Sequence, residues 1–209
     1  MQRRTCWIAL GSLALLVACG KSARHATVPA GQTVLAFGDS VTFGTGAAPG
    51  EDWPTLLAAA TGWRVVNAGV PGDTALAAQD RLPALLAEHR PALVIVEIGG
   101  NDFLRRRPAA EVKEDIRRLL QAARAGGAQV VLVAVPALSL MAAVAGRPSD
   151  APLYAELADE EQVALVPEVF SAVLGDPTLR ADAIHPNAAG YRQLAQGLLQ
   201  RLKALGYAP

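Results

Sequence analysis

The stretch VLAFGDSVTFGTG, from Val34 to Gly46, indicates the fold of this chain. Val34 begins a run of four apolar residues, which is typical of a buried strand. Gly38, Asp39 and Ser40 follow at once, with no polar loop between the strand and the serine. A serine directly after a buried strand lies at an edge of the sheet. Whether that edge is the one where ligands bind decides whether the serine can have a function.

Apolar runs of this kind recur along the chain and alternate with helical patterns. The predicted strands are Thr33–Phe37, Arg64–Ala68, Leu93–Ile98, Gln129–Val135 and Val163–Val166. Alternation of strands and helices predicts an α/β protein with a parallel sheet of about five strands, covered by helices on both sides. Ligands bind such sheets beyond the carboxyl ends of the strands. We therefore expect Ser40 to lie on the functional edge.

Four helical patterns lie between or after these strands. The first helix is predicted to begin at Trp53 and Pro54, because proline suits a first helical turn, and to end at Gly62. Asp73 is predicted to cap the next helix, which Pro83 divides. The clearest pattern spans Glu111–Arg124 and ends at two glycines, and the last helix runs from about residue 187 to residue 206.

A serine needs a base before it can act as a nucleophile, and the chain has three histidines. His25 lies in a polar stretch near the N-terminus, and His89 ends a predicted helix, where a cation suits the helix dipole. His185 follows Asp182 by three residues. In a turn, this spacing lets a carboxylate bind the imidazole Nδ1–H and leaves Nε2 free to accept a proton. A satisfied surface pair or half of a metal site are the alternatives for these two residues.

Acyl transfer also requires hydrogen-bond donors for an oxyanion, and two segments after predicted strands could supply them. The first is Asn67–Asp73 (NAGVPGD), in which glycines expose backbone N–H groups. The second is Gly99–Asp102 (GGND), in which Asn101 offers a side-chain N–H. Either segment could equally be an ordinary turn or a helix cap.

Composition excludes several classes of function. The formal net charge is +0, with 19 basic and 19 acidic residues, which argues against a nucleic-acid partner. Both cysteines, Cys6 and Cys19, precede the predicted domain, so a disulfide, a thiol nucleophile or a cysteine-based metal site is not expected there. We expect neither a metal nor a cofactor.

The N-terminus has the features of an export signal. Two arginines precede the apolar run Trp7–Ala18, which is too short to span a bilayer. The run ends in Leu-Val-Ala-Cys, which resembles the lipobox of bacterial lipoproteins and implies that Cys19 carries lipid. An ordinary secretory signal or an uncleaved anchor are the alternatives. The predicted organisation is a signal peptide at 1–18, a lipidated cysteine and flexible tether at 19–31, and one domain at 32–209.

Four blocks together resemble the SGNH hydrolases, also called GDSL esterases and lipases. The blocks are GDSVTFG from Gly38, NAGVPGDT from Asn67, GGND from Gly99 and DAIHPN from Asp182. The resemblance covers residues 33–205, and VEIGGND and RLPALL resemble the bacterial branch of thioesterase I, lysophospholipase and small arylesterases. It implies a three-layer α/β/α sandwich with a flavodoxin-like sheet.

The resemblance also implies roles for individual residues. Ser40 would be the nucleophile, His185 the general base and Asp182 the group that orients it. The oxyanion hole would consist of the Ser40 and Gly72 backbone N–H groups and the Asn101 side chain. Gly69 is a nearby alternative to Gly72, although PGDT fits the family block better.

The expected activity is that of a serine esterase, anchored by Cys19 to a bacterial membrane and facing the periplasm or cell surface. The expected substrates are small acyl esters or lipids. A carbohydrate O-deacetylase of the same family and an acyl-binding lipoprotein without turnover are the alternatives. The segment Ala137–Ala151 has no counterpart in the thioesterase branch, and it could form an acyl groove or pack against a helix. Its candidate groove residues are Leu138, Leu140, Met141 and Val144.

Overall fold

The structure is a computed structural model that describes residues 25–137 and 148–209. Its centre is a sheet of five parallel strands in the order β2-β1-β3-β4-β5. This is the flavodoxin-like order, as expected. The strands are β1 (Thr33–Gly38), β2 (Arg64–Gly69), β3 (Leu93–Glu97), β4 (Gln129–Val133) and β5 (Ala164–Val166).

Nine α-helices and one short 3-10 helix (Pro177–Leu179) accompany the sheet in the described part of the chain. The α-helices are α1 (Ser40–Phe43), α2 (Trp53–Thr61), α3 (Ala75–Ala78), α4 (Leu82–His89), α5 (Gly100–Leu104), α6 (Ala109–Ala125), α7 (Leu153–Glu161), α8 (Val169–Gly175) and α9 (Ala188–Ala204). Helices α2, α8 and α9 pack together in one layer, and α3, α4, α6 and α7 in the other. The three-layer α/β/α sandwich predicted from the sequence is confirmed. None of the described helices is long and apolar enough to cross a membrane.

The core lies between the sheet and these two layers. Every residue of β3 is buried, because this strand is central and covered on both faces. Helix α6 contributes the apolar face predicted for it, and its buried residues include Val112, Ile116 and Leu119. Thr74, and not the predicted Asp73, caps α3 by accepting from the Ala77 N–H. Asp73 is instead held by an ion pair with Arg81.

Residues 25–31, which were predicted to belong to a flexible tether, contact the folded domain. Val28 is buried, and its N–H donates to the Tyr207 carbonyl at 2.8 Å. Its own carbonyl accepts from the Trp63 indole at 2.8 Å. These contacts place residues 25–31 with the domain, whereas the sequence predicted that they belong to the tether before residue 32. Packing against the last helix and β2 fixes a stretch whose polar, glycine-containing composition suggested a linker.

Candidate active site

Ser40 lies where the first strand ends, as the opening stretch of sequence predicted. It is the first residue of α1, and the Asp39 carboxylate caps that helix by accepting from the Val41 N–H at 3.0 Å. Ser40 is 9% exposed and lines a cavity at the carboxyl edge of the sheet. Because it opens the helix, its backbone N–H has no acceptor within α1.

His185 reaches Ser40 from a loop at the other end of the chain. Its Nε2 lies 2.9 Å from Ser40 Oγ, and its Nδ1 lies 2.8 Å from Asp182 Oδ2. A carboxylate only accepts hydrogen bonds, so Nδ1 carries the proton and Nε2 is left to accept from the serine. Partial burial disfavours the charged carboxylate, but the hydrogen bonds from His185 and Ile184 prevail and lower the pKa of Asp182.

Asp182 also folds the loop that carries His185. Its Oδ1 accepts from the N–H groups of Ile184 at 2.8 Å and His185 at 2.9 Å, while Oδ2 binds the ring. The three-residue spacing therefore has two effects, an Asx-type turn and a fixed imidazole. Asn187 then caps α9 through the N–H groups of Ala189 and Gly190.

Gly46 allows this loop to approach Ser40. A Cβ atom at this position would lie 2.4 Å from the Pro186 carbonyl oxygen, and the backbone φ of +99° also favours glycine. Tyr191 adds a second link, because its hydroxyl donates to the Thr45 carbonyl at 2.8 Å. The glycines of the Gly44–Gly46 turn are visible in the sequence. Only the fold shows that Gly46 lies against the loop that carries His185.

The predicted side-chain donor, Asn101, lies in the first turn of α5, and the predicted backbone donor, Gly72, lies on the neighbouring loop between β2 and α3. Asn101 lines the same cavity as Ser40 and His185, and its Nδ2 donates to the Asp73 carbonyl at 2.9 Å and to Asp39 Oδ2 at 3.2 Å. Gly72 is exposed, has φ +81°, and precedes the Asp73 that binds Asn101. Gly69, the alternative, has its N–H engaged with the Asn67 side chain at 3.0 Å. This engagement favours Gly72 of the two.

Arg81 fixes the loop that carries Gly72, and sequence reasoning missed it. Its guanidinium donates to Asp73 Oδ2 at 2.8 Å, to the Ala68 carbonyl at 2.7 Å and to the Gly38 carbonyl at 2.8 Å. It also lies 4.0 Å from the centre of the Phe37 ring. Arg81 thus joins the ends of β1 and β2 to the 70–74 loop.

Two buried carboxyl groups beneath Ser40 were also missed. Burial raises the pKa of Asp39 from its ordinary 3.8 to about 6. Burial likewise raises the pKa of Glu97 well above its ordinary 4.5. Glu97 accepts from the Thr42 hydroxyl at 2.8 Å, and its other carboxyl oxygen has no partner among the described residues. Glu97 is the last residue of the apolar strand β3. A carboxyl group at the end of a buried strand, visible in the VEIGGND block, is the sequence feature that could have indicated it.

The described cavity is lined by polar and apolar side chains in equal number, and the polar ones include the buried Asp39 and Glu97. Besides Ser40, Asn101 and His185, it is bounded by Val41, Leu104, Val135, Phe170 and Ile184, among others. The groove residues predicted between 138 and 147 lie outside the described residues. Among the described residues, no three His, Cys, Asp or Glu side chains are placed to share a metal ion.

A buried serine bound to a histidine that is oriented by a carboxylate, at the carboxyl edge of a parallel sheet, defines a serine hydrolase arrangement. Comparison with known proteins identifies the family. Residues 36–193 match the GDSL-like lipase/acylhydrolase family. The chain belongs to this family, whose fold is that of the SGNH hydrolases, and it is an enzyme that hydrolyses ester bonds.

Individual relatives agree with this assignment. Esterase TesA of Pseudomonas aeruginosa is 38% identical over 190 residues, which cover 84% of this chain and 90% of the relative. Thioesterase 1/protease 1/lysophospholipase L1 of Escherichia coli is 34% identical over 183 residues, covering 84% and 86%. A crystal structure of TesA has a TM-score of 0.73 and 37% identity, covering 83% of this chain and 99% of that chain.

Proposed function

We propose that this protein is a membrane-tethered serine esterase in which Ser40, His185 and Asp182 act as a catalytic triad. The observation that supports this most directly is the continuous pair of hydrogen bonds, 2.9 Å from Ser40 Oγ to His185 Nε2 and 2.8 Å from Nδ1 to Asp182. Each bond has the direction that proton transfer from serine to imidazole requires.

The chemistry runs in two halves. His185 Nε2 takes the proton of Ser40 as Oγ attacks the acyl carbon, and it then returns that proton to the departing alcohol or thiol. Water, deprotonated by the same nitrogen, attacks the acyl-enzyme and releases the acid. Asp182 stays ionised throughout, because the hydrogen bonds that lower its pKa favour the carboxylate.

The oxyanion is stabilised by three donors in this proposal. The Ser40 N–H has no acceptor in its helix, and the Gly72 N–H lies on the adjacent loop. Asn101 is the third donor, through its side-chain Nδ2. Of the two hydrogen bonds that Nδ2 makes, the one to Asp39 is the longer, at 3.2 Å, and this N–H is the one shared with the oxyanion. Such donors act on charge that develops only in the transition state.

The substrates are carboxylic esters or thioesters with an apolar acyl or aryl group. Supporting this, the cavity around Ser40 is bounded by Val41, Leu104, Phe170 and Ile184. The names of the relatives, an esterase and a thioesterase/lysophospholipase, agree with it. A carbohydrate O-deacetylase of the same family is the alternative, and the preference for acetyl over longer acyl esters distinguishes the two.

The test is hydrolysis of p-nitrophenyl butyrate and p-nitrophenyl palmitate by the full chain and by Ser40→Ala. We expect the variant to lose at least about 10³-fold in kcat, as removal of a triad member does. Ser149→Ala is the matched control, since Ser149 is exposed and away from the cavity. Covalent labelling by a serine-directed phosphonate, followed by peptide mass spectrometry, should locate the label at Ser40.

Other outcomes decide between the alternatives. If Ser40→Ala keeps the wild-type rate, or the phosphonate labels another residue, the triad is wrong. If the wild type neither turns over nor reacts with the phosphonate, acyl binding without turnover is the better description. A preference for p-nitrophenyl acetate over both longer esters would favour the deacetylase.

The anchor is the second part of the proposal: Cys19 is acylated, and the domain is held on the outer side of a bacterial membrane. The Leu-Val-Ala-Cys sequence after an apolar run supports it. Metabolic labelling with an alkyne fatty acid should mark the wild type and Cys6→Ala but not Cys19→Ala. Cys6 makes a matched control because it lies in the segment that cleavage would remove. Equal labelling of all three would contradict the anchor.

A further inference from the structure

The segment His25–Gly31 runs beneath the sheet, across the amino ends of its strands. Ala26 exchanges two hydrogen bonds with the side chain of Gln129, the first residue of β4, at 2.9 and 2.7 Å. Gly31 accepts from Arg64, the first residue of β2, at 2.9 Å. The segment thus spans the edge opposite to the one that bears Ser40.

Contacts with the end of the last helix hold this segment in place. His25 stacks on Tyr207 with ring centres 4.5 Å apart, and Thr27 donates to the Gly206 carbonyl at 3.0 Å. Val28 is buried and bonded through both backbone groups. The point at which the chain leaves the domain towards Cys19 is therefore fixed at the amino edge of the sheet.

The short connection between Cys19 and His25 limits how far the domain can rotate relative to the membrane. Five residues separate Cys19 from His25, so the connection spans about 20 Å at most, at 3.3–3.6 Å per residue. Strand β1 has six residues and is also about 20 Å long at roughly 3.3 Å per residue. A tether of about 20 Å that starts at the amino edge extends only as far as the level of Ser40. It is too short to pass around the helices as well.

The two edges also differ in their exposed side chains. Arg64, Arg90, Arg124 and Lys203 are exposed at the amino edge, where cations suit anionic lipid, although the exposed Glu88, Asp159 and Glu160 offset part of this charge. Within the described ranges, the exposed large hydrophobic residues follow the carboxyl ends of β1, β2 and β3. They are Phe43, Val70, Leu76 and Leu104. The apolar rim thus lies on the side away from the tether.

We propose that the catalytic edge faces away from the leaflet that holds Cys19, and that the substrates are apolar esters delivered through the aqueous phase. Lipids of the enzyme's own leaflet are then poor substrates. This inference rests on the lipid anchor and the esterase activity of the proposed function. The amino edge, with its exposed arginines, is the surface that lies against the membrane.

Orientation can be measured without any activity. Lipidated full-chain protein is reconstituted in vesicles of phosphatidylcholine and phosphatidylglycerol, with a fluorophore on Ala125→Cys or on Ala48→Cys. Both alanines are exposed, and they lie at the amino and carboxyl edges respectively. Headgroup nitroxide lipids should quench the label at 125 at least several-fold more than the label at 48. Equal quenching, the reverse order, or no quenching of either label overturns the inference.

Activity gives the second readout. A variant with about 30 Gly/Ser residues inserted after Ser22 gains a tether with an r.m.s. span of about 30 Å, enough to bring Ser40 to the leaflet. Both proteins should hydrolyse soluble p-nitrophenyl butyrate equally. At low vesicle concentration, the variant should cleave a fluorogenic long-chain phospholipid ester in its own vesicle at least about 10-fold faster than the wild type. Equal rates on that lipid overturn the inference.

The two arms separate the possible failures. Absence of hydrolysis of the soluble ester by either protein refutes the esterase, while the quenching pattern still reports orientation. Vesicle flotation with Cys19→Ala as control reports the anchor by itself. An unanchored wild type would show no quenching at 125 and would overturn the inference together with the anchor.

Discussion

Asp102 and Asp115 share the guanidinium of Arg107, whereas Asp39 and Glu97, which are as deeply buried, take part in none of the ion pairs of the described residues. Arg107 lies 2.6 Å from Asp102 and 2.8 Å from Asp115. Asp102 also accepts from the Ala75 N–H, and Asp115 accepts from Gln79. The Arg107 cluster therefore joins α3, α5 and α6.

The second pair, Asp39 and Glu97, has hydrogen bonds but no cation, and the consequence appears in its protonation. Burial raises the pKa of Asp39 to about 6 and that of Glu97 well above its ordinary value. One pair is compensated by a cation and holds helices together, while burial raises the pKa of both carboxyl groups of the other pair, next to the nucleophile. Buried carboxyl groups stabilise a fold when they are compensated, and perturbed ones mark a functional site.

Removal of the compensating cation should have the largest effect on stability. Arg107→Ala leaves the buried Asp102 without its cation and Asp115 with only the 3.6 Å contact to Arg118, and we expect it to lower the free energy of unfolding by about 3–5 kcal/mol. Denaturant unfolding followed by circular dichroism measures this. Arg106→Ala, at an exposed neighbouring position, should change it by less than about 0.5 kcal/mol. Similar losses in both variants would refute the special role of Arg107.

Glu97→Gln should change how the free energy of unfolding depends on pH, because the pKa of Glu97 is raised in the folded protein. The folded wild type keeps the Glu97 proton, whereas the unfolded chain loses it above pH 4.5, so wild-type stability from this group falls as pH rises. Glutamine has no proton to lose. Relative to wild type, the variant should gain about 1.4 kcal/mol per pH unit above 4.5, up to the folded-state pKa. Unfolding at pH 5, 6 and 7 measures the slope, and a constant difference would show that Glu97 ionises normally.

Arg81 is a third arginine, and it compensates Asp73 beside the site. Arg81→Lys cannot reach the Asp73, Ala68 and Gly38 acceptors together, so the loop with Gly72 should shift. We expect kcat to fall about 10- to 100-fold with a smaller change in KM, because oxyanion donors act mainly in the transition state.

Arg118→Lys is the control for this substitution, since the Arg118 side chain is 56% exposed and makes only long ion pairs. Steady-state kinetics on a p-nitrophenyl ester should show wild-type values for it. A drop in unfolding free energy without a change in kcat would assign Arg81 to stability alone.

The smallest effect is expected from the hydrogen bond inside the uncompensated pair. Thr42→Val keeps the volume but removes the hydroxyl that donates to Glu97 at 2.8 Å. We expect a loss of about 1 kcal/mol in unfolding free energy. A double-mutant cycle with Glu97→Gln isolates the coupling between the two side chains. A coupling energy near zero would mean that this bond contributes nothing to the pair.

Local patterns predicted the strands, the helix ends at Gly62 and Gly126, and the Asp182–His185 turn, because each depends on neighbours in sequence. Glu97 and Arg81 were missed, since their importance comes from partners such as Thr42, 55 residues away from Glu97, and Gly38, 43 residues away from Arg81. The 25–31 segment was misjudged for the same reason. Its polar composition gave no sign of the Tyr207 and Trp63 side chains that cover it.

The hydrogen bond from Thr27 to Gly206 joins residues 179 positions apart. During synthesis, residues 25–31 therefore emerge well before their partners after α9. Until the chain has been synthesised past α9, Val28 has no Tyr207 carbonyl to bind. The contacts that fix residues 25–31 are therefore among those of this domain that can form only after α9 has been synthesised.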